Sequence, residues 1–510
     1  MEGAAKGNGS AIFGYDVRVP GMLYGAVARP PRYQATLAAA GPGTAASLPG
    51  VVKVVLQPGF AGVVAKTTLA ARQAVACLEL TWVGGTTIGM KDLEALVTAK
   101  DEGVVVHAGA VVAAGPGDRV LERQFRTPLA AHSSMEPQAA MVDCSGPRVV
   151  AKVSTQIPSM AIEAIAAATG RPASEIDLTP TLLGGGFGRK GGHDVGREAA
   201  LLSLAAGAPV LVGWTREEEL RHDYFRPPTH HRLRAVIGSN GAIRSVEHHL
   251  ASGDVALSFG ANPLPGGELG ARLIGFDPGT AISLAGPYAF PNLRVTITRV
   301  KLPVPTGSWR GLGANPNTFA LESFVDELAH EVRVDPIDFR LEYLDHDERG
   351  ARLRALLGAV RRSSAWDARG ARALGVACGE YHGTPVATVA EAELEDGVPR
   401  VRKLFMAVDP GLLINPDGAR AQVEGGASWG VSAALLEQIT VENGMAVEQN
   451  FTTYRFARMT DVPQVEIEFL SSGDEPRGLG EAPLIAVAAA IRGALRQLGV
   501  TQLDRIPLAR

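Results

Sequence analysis

The chain has 510 residues, of which 46% are hydrophobic and 20% are charged. This balance is typical of a globular protein that is large enough for more than one hydrophobic core. A net charge of −4 argues against nucleic acid as a partner. The three cysteines, Cys77, Cys144 and Cys378, lie far apart. They predict neither a disulfide framework nor a zinc site, and they are too few for an iron–sulfur cluster.

Targeting signals are not evident in the sequence. No uncharged apolar run reaches the roughly 18 residues of a membrane span. Residues 1–10, MEGAAKGNGS, lack the apolar segment of a signal peptide and are predicted to be a flexible tail. The default expectation is therefore the cytoplasm. A periplasmic or membrane-associated location remains open if a partner carries the signal.

Residues 11–115 are predicted to form a first, small α+β unit. Apolar and β-branched runs indicate strands at 13–27 and 50–65, the first around the turn at Pro20 and Gly21. Residues 67–78 predict a helix, and residues 80–83 a further strand. Short strands mixed with short helices are typical of an α+β fold.

Residues 116–374 are predicted to form a second unit built around a glycine-rich turn at 182–192. A β-like run at 175–183 precedes the turn, and a helix is predicted over 193–206. Glycines at a strand-to-helix turn let backbone N–H groups approach a ligand, and the helix dipole favours an anion there. An anionic cofactor, typically a phosphate or pyrophosphate, would suit this turn, and a tight turn without a ligand is the alternative for this stretch taken alone.

The same turn formally matches the dinucleotide fingerprint G-x-G-x-x-G through Gly186, Gly188 and Gly191. That fingerprint expects an acidic residue at the end of the next strand. Here the acids at 217–219 follow the strand predicted at 209–214, in what reads as the start of a helix. An NAD-dependent dehydrogenase is therefore retained only as an alternative.

The remaining elements follow in order. Asn315 or Asn317 is expected to cap an amphipathic helix over 318–332. The charged stretch 350–371 is predicted to connect domains. Residues 375–510 form a third unit, in which Glu481 and Pro483 open a helix over 484–498.

Several motifs resemble the molybdenum hydroxylases, the xanthine oxidase and aldehyde oxidoreductase family. The similarity is greatest to the branch of isoquinoline 1-oxidoreductase and membrane-associated aldehyde dehydrogenase large subunits. In chain order the motifs are PGMLYGAV (20–27), HSSMEP (132–137), Gln156, GGGFGRK (184–190), WRGLG (309–313), ESFVDELAHEVRVDPIDFR (322–340), DPGLLINP (409–416), QVEGG (422–426) and GEAP (480–483).

The resemblance implies the domain plan and the site. A hammerhead-like α/β domain (11–115) would precede two mixed α/β molybdopterin-binding domains (116–374 and 375–510), the second of which another subunit could complete. By resemblance, Glu481 is the catalytic base. The other implied residues are listed by role: cofactor, Gln156, Gly185, Gly186, Phe187, Gly188, Arg189 and Arg340; substrate, Trp309 and Arg310. Molybdenum would be held through the pterin, with Gln156 and Phe187 nearby. His132 and Glu136 are expected to be structural, and the loop 253–281 to line the substrate pocket.

The resemblance also implies a reaction and its partners. The expected reaction is oxidative hydroxylation of an aldehyde to a carboxylic acid, or of an N-heteroaromatic ring, with water as the oxygen source. The cofactor would be the cytosine dinucleotide form of molybdopterin, and electrons would leave through a small [2Fe–2S] ferredoxin-like subunit, with a cytochrome c as one candidate acceptor. The family's Gly-Gln-Gly signature is not found in the chain, so another polypeptide is expected to supply it. An inactive scaffold or assembly subunit is the remaining alternative.

Overall fold

The computed structural model of the protein describes residues 3–257, 273–473 and 475–508. Within these ranges the strands β1 to β20 are Leu23–Val27, Ala35–Gly41, Val51–Gln57, Phe60–Ala65, Glu79–Gly84, Val104–His107, Arg119–Thr127, Ala139–Asp143, Val149–Val153, Ile176–Pro180, Val210–Gly213, Thr229–Ile237, Ile243–Ser252, Leu293–Arg299, Ala373–Tyr381, Thr384–Glu395, Val398–Val408, Val441–Glu442, Met445–Ala446 and Gln464–Phe469. In the same ranges the helices α1 to α12 are Gly3–Gly7, Thr68–Val75, Met90–Leu96, Pro158–Thr169, Asp194–Ala206, Arg216–Arg221, Pro278–Ala281, Ala314–Val332, Pro336–Tyr343, Glu348–Ser363, Pro416–Leu435 and Val487–Gln497.

A seven-stranded mixed sheet, in the order β10-β9-β8-β11-β1-β4-β3, carries the glycine-rich turn at one edge. Its centre is β11, an apolar strand that pairs in parallel with β1 and antiparallel with β8. Such a continuous apolar run suits a strand whose two faces are both covered. The predicted boundary at residue 115 therefore runs through a single sheet, because β1, β3 and β4 precede it and the other four strands follow it.

Helix α8 is buried along nearly its whole length. It belongs to the core cluster that joins the five-stranded sheet β6-β14-β13-β12-β7 to the four-stranded sheet β15-β16-β17-β20. The sequence predicted a helix that starts at residue 318 and is capped by Asn315 or Asn317, and both its start and its cap differ in the structure. The helix begins at Ala314, after Gly313, and both asparagines lie inside it. The Nδ2 group of Asn317 donates to the carbonyls of Thr280 and Ile282, so both donors of this buried amide are satisfied by the neighbouring loop.

Helix α10 corrects the prediction of an inter-domain segment at 350–371. Leu353, Leu356, Leu357 and Val360 are buried on one side of it, and the helix packs on the four-stranded sheet. This spacing is that of an amphipathic helix. The many arginines on its other face made the stretch look like a solvated connection.

Two smaller observations concern the ends of the fold. Residues 3–7 form a short exposed helix, α1, where a flexible tail was predicted.

Among the described residues, no helix combines the length and the apolar character that crossing a bilayer requires.

Candidate active site

The glycine turn between β10 and α5 has a backbone that only some residues can adopt. Gly185, Phe187 and Gly188 have φ values of 96°, 55° and 116°, and left-handed backbone of this kind favours glycine. A Cβ on Gly188 would lie 1.7 Å from the carbonyl oxygen of Ser308. The turn therefore packs directly against the Thr306–Gly313 segment, as a chain with a side chain at 188 could not.

Gln156, which follows β9, lies against this turn. Its Oε1 accepts a hydrogen bond from the backbone N–H of Gly188 at 3.0 Å. A Cβ on Gly186 would lie 2.5 Å from the same oxygen, so the glycine makes room for the amide. Because Oε1 is taken, the Nε2 group is the free end of the side chain, and it has no partner among the described residues. Gln156 therefore presents an uncharged donor on an exposed surface.

Glu136 holds the turn in place from behind. Its carboxylate accepts from the N–H groups of Gly14 and Gly184, from the hydroxyl of Ser154 and from Nζ of Lys190. Although burial alone would raise the pKa of this carboxyl, Lys190 and the other donors hold it below its ordinary value. The contacts fit the structural role predicted for Glu136.

The glycine turn carries unpaired backbone donors. In the described ranges, the N–H groups of Gly185, Gly186 and Phe187 have no hydrogen-bond partner. Successive free N–H groups in a turn with left-handed residues form a concavity that suits an anion. Together with the free amide of Gln156, they are the donors of this chain that fit an anionic cofactor.

Aromatic side chains connect the glycine turn to the third unit. The Phe187 ring meets the indole of Trp429 edge-on, with centroids 4.0 Å apart. Trp429 lies on α11 and also contacts the Trp309 ring at 5.5 Å, while the guanidinium of Arg310 lies over its ring at 5.7 Å. Trp429 was not singled out in the sequence, although it follows Gln422 by seven residues and therefore shares its helix face.

Arg310 ties two turns together. Its Nε donates to the carbonyl of Gly480 at 2.7 Å, and its Nη2 lies 3.5 Å from Oε1 of Gln422. Burial lowers the pKa of this guanidinium, and the negative charge of Glu481 opposes that shift. Arg310 is thus directly beside the predicted base, and its contact with substrate stays a prediction.

Glu481 begins the short 3₁₀ turn Ala482–Leu484 but does not cap it with its side chain. Instead, Oε1 accepts from the backbone N–H of Gly311 at 2.8 Å. The side chain is half-buried, and the buried phenol of Tyr381 lies beside the carboxylate and interacts with it. Oε1 is therefore fixed by the backbone, and the second oxygen is placed to take a proton.

A continuous set of contacts thus joins the residues that the sequence predicted to converge. It runs from Gln156 to the glycine turn, through Phe187 and Trp429, and on to Arg310 and Glu481. These residues come from the β9–β10 edge of the seven-stranded sheet, from the Thr306–Gly313 segment, from α11 and from the turn that precedes α12. The site is therefore assembled from distant parts of the chain.

Arg189 points away from this surface, contrary to its predicted cofactor role. Its guanidinium is fully buried, pairs with Asp194 at 2.9 Å and Asp223 at 3.2 Å, and lies over the rings of Trp214 and Tyr224. The motif correctly located the turn, but the side chain that follows it is turned into the core.

Arg340 is likewise part of the core and not of the site. It is fully buried, with Nε 2.8 Å from Glu322 and Nη1 2.7 Å from Asp326. Although burial would lower it, these two carboxylates hold the pKa of Arg340 well above its ordinary value. Every nitrogen of the guanidinium has a protein partner, and its full burial keeps it away from the surface that carries the glycine turn.

Trp309 and His132 support the turn at 306–313 from below. Trp309 is 1% exposed and donates its indole N–H to the carbonyl of Ala131, so it backs the site and is not available to substrate. His132 is buried between the carboxylate of Asp223 at 2.9 Å and the carbonyl of Ser308 at 2.7 Å. These contacts fit the structural role predicted for His132, with Asp223 as the carboxylate partner.

The structure describes only the two ends of the predicted pocket loop at 253–281, because residues 258–272 lie outside the described residues. At its ends, the carboxylate of Asp277 accepts from the N–H groups of Val255, Ala256 and Leu257. Among the described residues, no group of three or more His, Cys, Asp or Glu side chains is placed to hold a metal ion.

Two family models described as molybdopterin cofactor-binding domains match residues 102–344 and 374–463. A membrane-bound aldehyde dehydrogenase of Gluconacetobacter polyoxogenes, named for pyrroloquinoline-quinone, is 30% identical over 99% of this chain and 70% of its own length. The isoquinoline 1-oxidoreductase subunit beta of Brevundimonas diminuta is 30% identical over 99% of this chain and 66% of its own length. Quinoline 2-oxidoreductase from Pseudomonas putida 86 shares the fold, with a TM-score of 0.82, 16% identity and coverage of 99% of this chain and 96% of that one.

The fold and the matched domains define a molybdopterin-binding protein. Within that class, the chain belongs to the molybdenum hydroxylase family of oxidoreductases. The family predicted from the sequence motifs and the mixed α/β architecture are both confirmed.

Proposed function

We propose that the protein oxidises an aldehyde to a carboxylic acid, or hydroxylates an N-heteroaromatic ring, with water as the oxygen source. The names of the relatives support both substrate classes. The observation that carries the proposal is the continuous contact between the donor-lined glycine turn and the carboxylate of Glu481.

The residues of this chain fit an anionic pterin cofactor. The unpaired N–H groups at 185–187 and the amide of Gln156 would hold it by donating hydrogen bonds without adding charge. When bound, the molybdenum cofactor would supply the two-electron oxidation and the transfer of the oxygen. The protein's own contribution is then to position the reactants and to move a proton.

Glu481 is the proposed base. Its Oε1 is fixed by the Gly311 N–H, so the carboxylate keeps one orientation and its second oxygen can accept a proton during the reaction. The nearby rings of Phe187 and Trp429 provide apolar walls that would exclude water and face a flat substrate. Arg310 would add a hydrogen-bond donor or a stacking surface at the substrate's edge.

The electron partner is proposed to be a small [2Fe–2S] subunit, with a cytochrome c as one terminal acceptor. The isoquinoline relative is itself named as a subunit beta, which supports a multi-subunit assembly. The cytosine dinucleotide form of the cofactor, and a further polypeptide that supplies a Gly-Gln-Gly segment, remain predictions. Mass spectrometry of the copurified chains and of the extracted cofactor tests all three, and distinguishes molybdopterin from pyrroloquinoline-quinone.

The proposed function predicts the behaviour of Glu481→Gln. We expect this variant to retain the molybdenum content of the wild-type complex but to lose at least about 100-fold in kcat/KM with an aromatic aldehyde or an N-heterocycle, because the base is gone. Molybdenum is measured by elemental analysis, and turnover with an artificial electron acceptor.

Glu424→Gln is the matched control, since Glu424 is an exposed carboxylate on α11, and it should behave as wild type. Wild-type activity in Glu481→Gln contradicts the assigned base. A molybdenum-loaded wild-type complex that oxidises neither substrate class supports the scaffold alternative. Binding of NAD in a direct titration would favour the dehydrogenase alternative.

A further inference from the structure

Under the proposed function, Glu481 must release a proton after every turnover. Converting a C–H bond to C–OH with water yields two electrons and two protons. The electrons leave through the cofactor to the iron–sulfur partner, and one proton is taken by Glu481. The carboxylate is half-buried, with one oxygen bound to Gly311, and a substrate above it would cover its open side. A separate route for the proton is therefore useful.

Tyr381, at the end of β15, lies beside Glu481 on the buried side. The residue is 3% exposed, and its hydroxyl interacts with the carboxylate of Glu481 but makes no close hydrogen bond to the other described residues. Because buried hydroxyl groups are rarely left without full hydrogen bonding, a water is a fitting second partner for it. Burial raises the pKa of this phenol, and the charge of Glu481 raises it further. Tyr381 thus stays protonated and can donate to the carboxylate.

A cavity of about 200 Å³ adjoins Tyr381. Its polar or reactive lining residues include Ser283, Glu322, Arg349, Cys378, Tyr381 and His382. One water needs roughly 10–15 Å³ of such space and two or more polar partners, so the cavity has room and partners for several waters. The Nε group of Arg349 is also buried without a partner in the described ranges, which is a second sign that water completes the bonding here.

Most charged groups around the cavity already have ion-pair or hydrogen-bond partners within the protein. Glu322 accepts from Arg340 and from the backbone N–H of Cys378, and Arg349 pairs with Asp345. Burial raises the pKa of the Cys378 thiol, and the charge of Glu322 adds to that shift, so the thiol remains neutral. On the far side of Glu481, Arg310 is the nearby cation.

His382 lies where the cavity meets solvent. The residue is exposed, and its ring meets the Tyr381 ring edge-on with centroids 4.2 Å apart. It also lines the cavity, together with Glu380. An imidazole can accept a proton at one nitrogen and release one from the other, which suits the outer end of a proton path.

We propose that Tyr381, the water-holding cavity and His382 form a proton exit for Glu481. Protonated Glu481 gives its proton to the phenol oxygen of Tyr381 while the phenol proton passes to a cavity water. The water passes a proton to His382, and His382 releases one to solvent. Each group ends as it began, and one proton has moved from the site to the surface. This inference rests on the proposed function.

The first test is Tyr381→Phe in the complete complex. We expect kcat to fall by roughly 100-fold, the low end of what positioned proton transfer contributes, with KM and molybdenum content unchanged and a larger solvent deuterium isotope effect on kcat. Independently of turnover, the infrared carboxyl band of Glu481, assigned by difference from Glu481→Gln, should shift in frequency in Tyr381→Phe because a neighbouring hydrogen-bond donor is lost.

Tyr33→Phe is the matched control. Tyr33 is also buried, and its hydroxyl bonds to the backbone of Arg221 and Ala446 and not to Glu481, so this variant should leave the isotope effect and the Glu481 infrared band as in wild type. A second variant, His382→Ala, should lose kcat in dilute buffer and recover it when free imidazole is added, because imidazole can replace the lost ring.

Three results would overturn the proposal. They are an unchanged Glu481 infrared band in Tyr381→Phe, an unchanged isotope effect in the same variant, and a kcat of His382→Ala that does not depend on imidazole. If the wild-type complex oxidises no substrate, the proposed function fails instead. The infrared band still decides whether Tyr381 is coupled to Glu481.

Discussion

Gly188 shows how strictly a single residue can position the two halves of the site. Its φ of 116° and the carbonyl of Ser308, which would lie 1.7 Å from an added Cβ, leave no space for a side chain. The same residue donates its N–H to Gln156. Any displacement at this point therefore moves the proposed amide donor and the Thr306–Gly313 segment together.

We predict that Gly188→Ala destabilises the protein by about 3 kcal/mol or more and prevents stable cofactor binding, because strained backbone and a clash act together. The measurements are urea unfolding and molybdenum content. Gly170→Ala is the control, since Gly170 also has a positive φ of 71° but has nothing within 4 Å of an added Cβ. It should cost about 1 kcal/mol and retain cofactor; equal effects of the two variants would contradict the argument.

At the scale of residues, the sequence predicted which positions lie near the site better than it predicted which way their side chains point. The motifs around Gln156, Gly188 and Glu481 mark residues that do converge. Arg189 and Arg340 lie in equally recognisable motifs, yet both are buried among carboxylates. Their partners Asp223 and Glu322 come from other elements, so local sequence could not reveal which way the side chains turn.

At the scale of elements, β12 and β13 share a buried pair of neutral histidines. Nδ1 of His231 lies 3.0 Å from Nε2 of His248, whose Nδ1 faces the carbonyl of Leu284. Since that carbonyl can only accept, Nδ1 of His248 carries the proton and Nε2 accepts from His231. A proton added at Nε2 would place two N–H groups face to face. Burial lowers the pKa of His248 to about 3 and that of His231 well below its ordinary value.

We predict that the free energy of unfolding falls as the pH drops below about 6.5, the ordinary histidine value. The unfolded chain takes up protons there, whereas the folded pair stays neutral until the pH approaches the lowered pKa of His248, about 3. Each histidine contributes a slope of about 1.4 kcal/mol per pH unit. Urea unfolding between pH 7 and pH 4.5 measures it.

His248→Gln should lower the pH dependence of the free energy of unfolding by about 1.4 kcal/mol per pH unit, since one of the two imidazoles is gone. His107→Gln, at an exposed position on β6, is the matched control and should keep the wild-type slope. A His248→Gln protein with the full slope would show that the pair does not cause the pH dependence.

Element predictions succeeded where periodicity and end signals agreed. Helix α5 and the C′ glycine of α4, Gly170, follow local rules for helices and their ends. The environments of α8 and α10 were misjudged, because burial on all sides and packing under an arginine-rich face depend on sheets formed by distant residues. Sequence periodicity reports one helix face and not how many neighbours cover it.

At the scale of the molecule, the seven-stranded sheet unites segments that the sequence placed in separate units. The edge of β1 that pairs with β11 through residues 23–25 and 210–212 is made of ordinary apolar residues. The sequences of β1 and β11 do not identify the strand that each pairs with. The hydrophobic pattern alone therefore could not test the predicted boundary at residue 115.

We predict that residues 1–115 and residues 116–510, produced separately, do not give two folded domains. The first fragment loses β11, one of the two neighbours of β1, and the second exposes β11 as a new apolar edge, which favours aggregation. Size-exclusion chromatography and limited proteolysis are the measurements, with coexpression of both fragments as the control. Two monomeric, protease-resistant fragments would contradict the shared sheet.

The contact between α8 and α12 has a consequence for biosynthesis. Arg492 on α12 donates to Glu327 and lies against the carbonyl of Ser323, so the last helix closes the core around α8. The ribosome finishes α8 on the order of ten seconds before α12, at translation rates of about 5–20 residues per second. During that interval the nascent chain carries α8 without its α12 neighbour and for most of the time lacks Glu481, so the proposed site is complete only after both segments have been made.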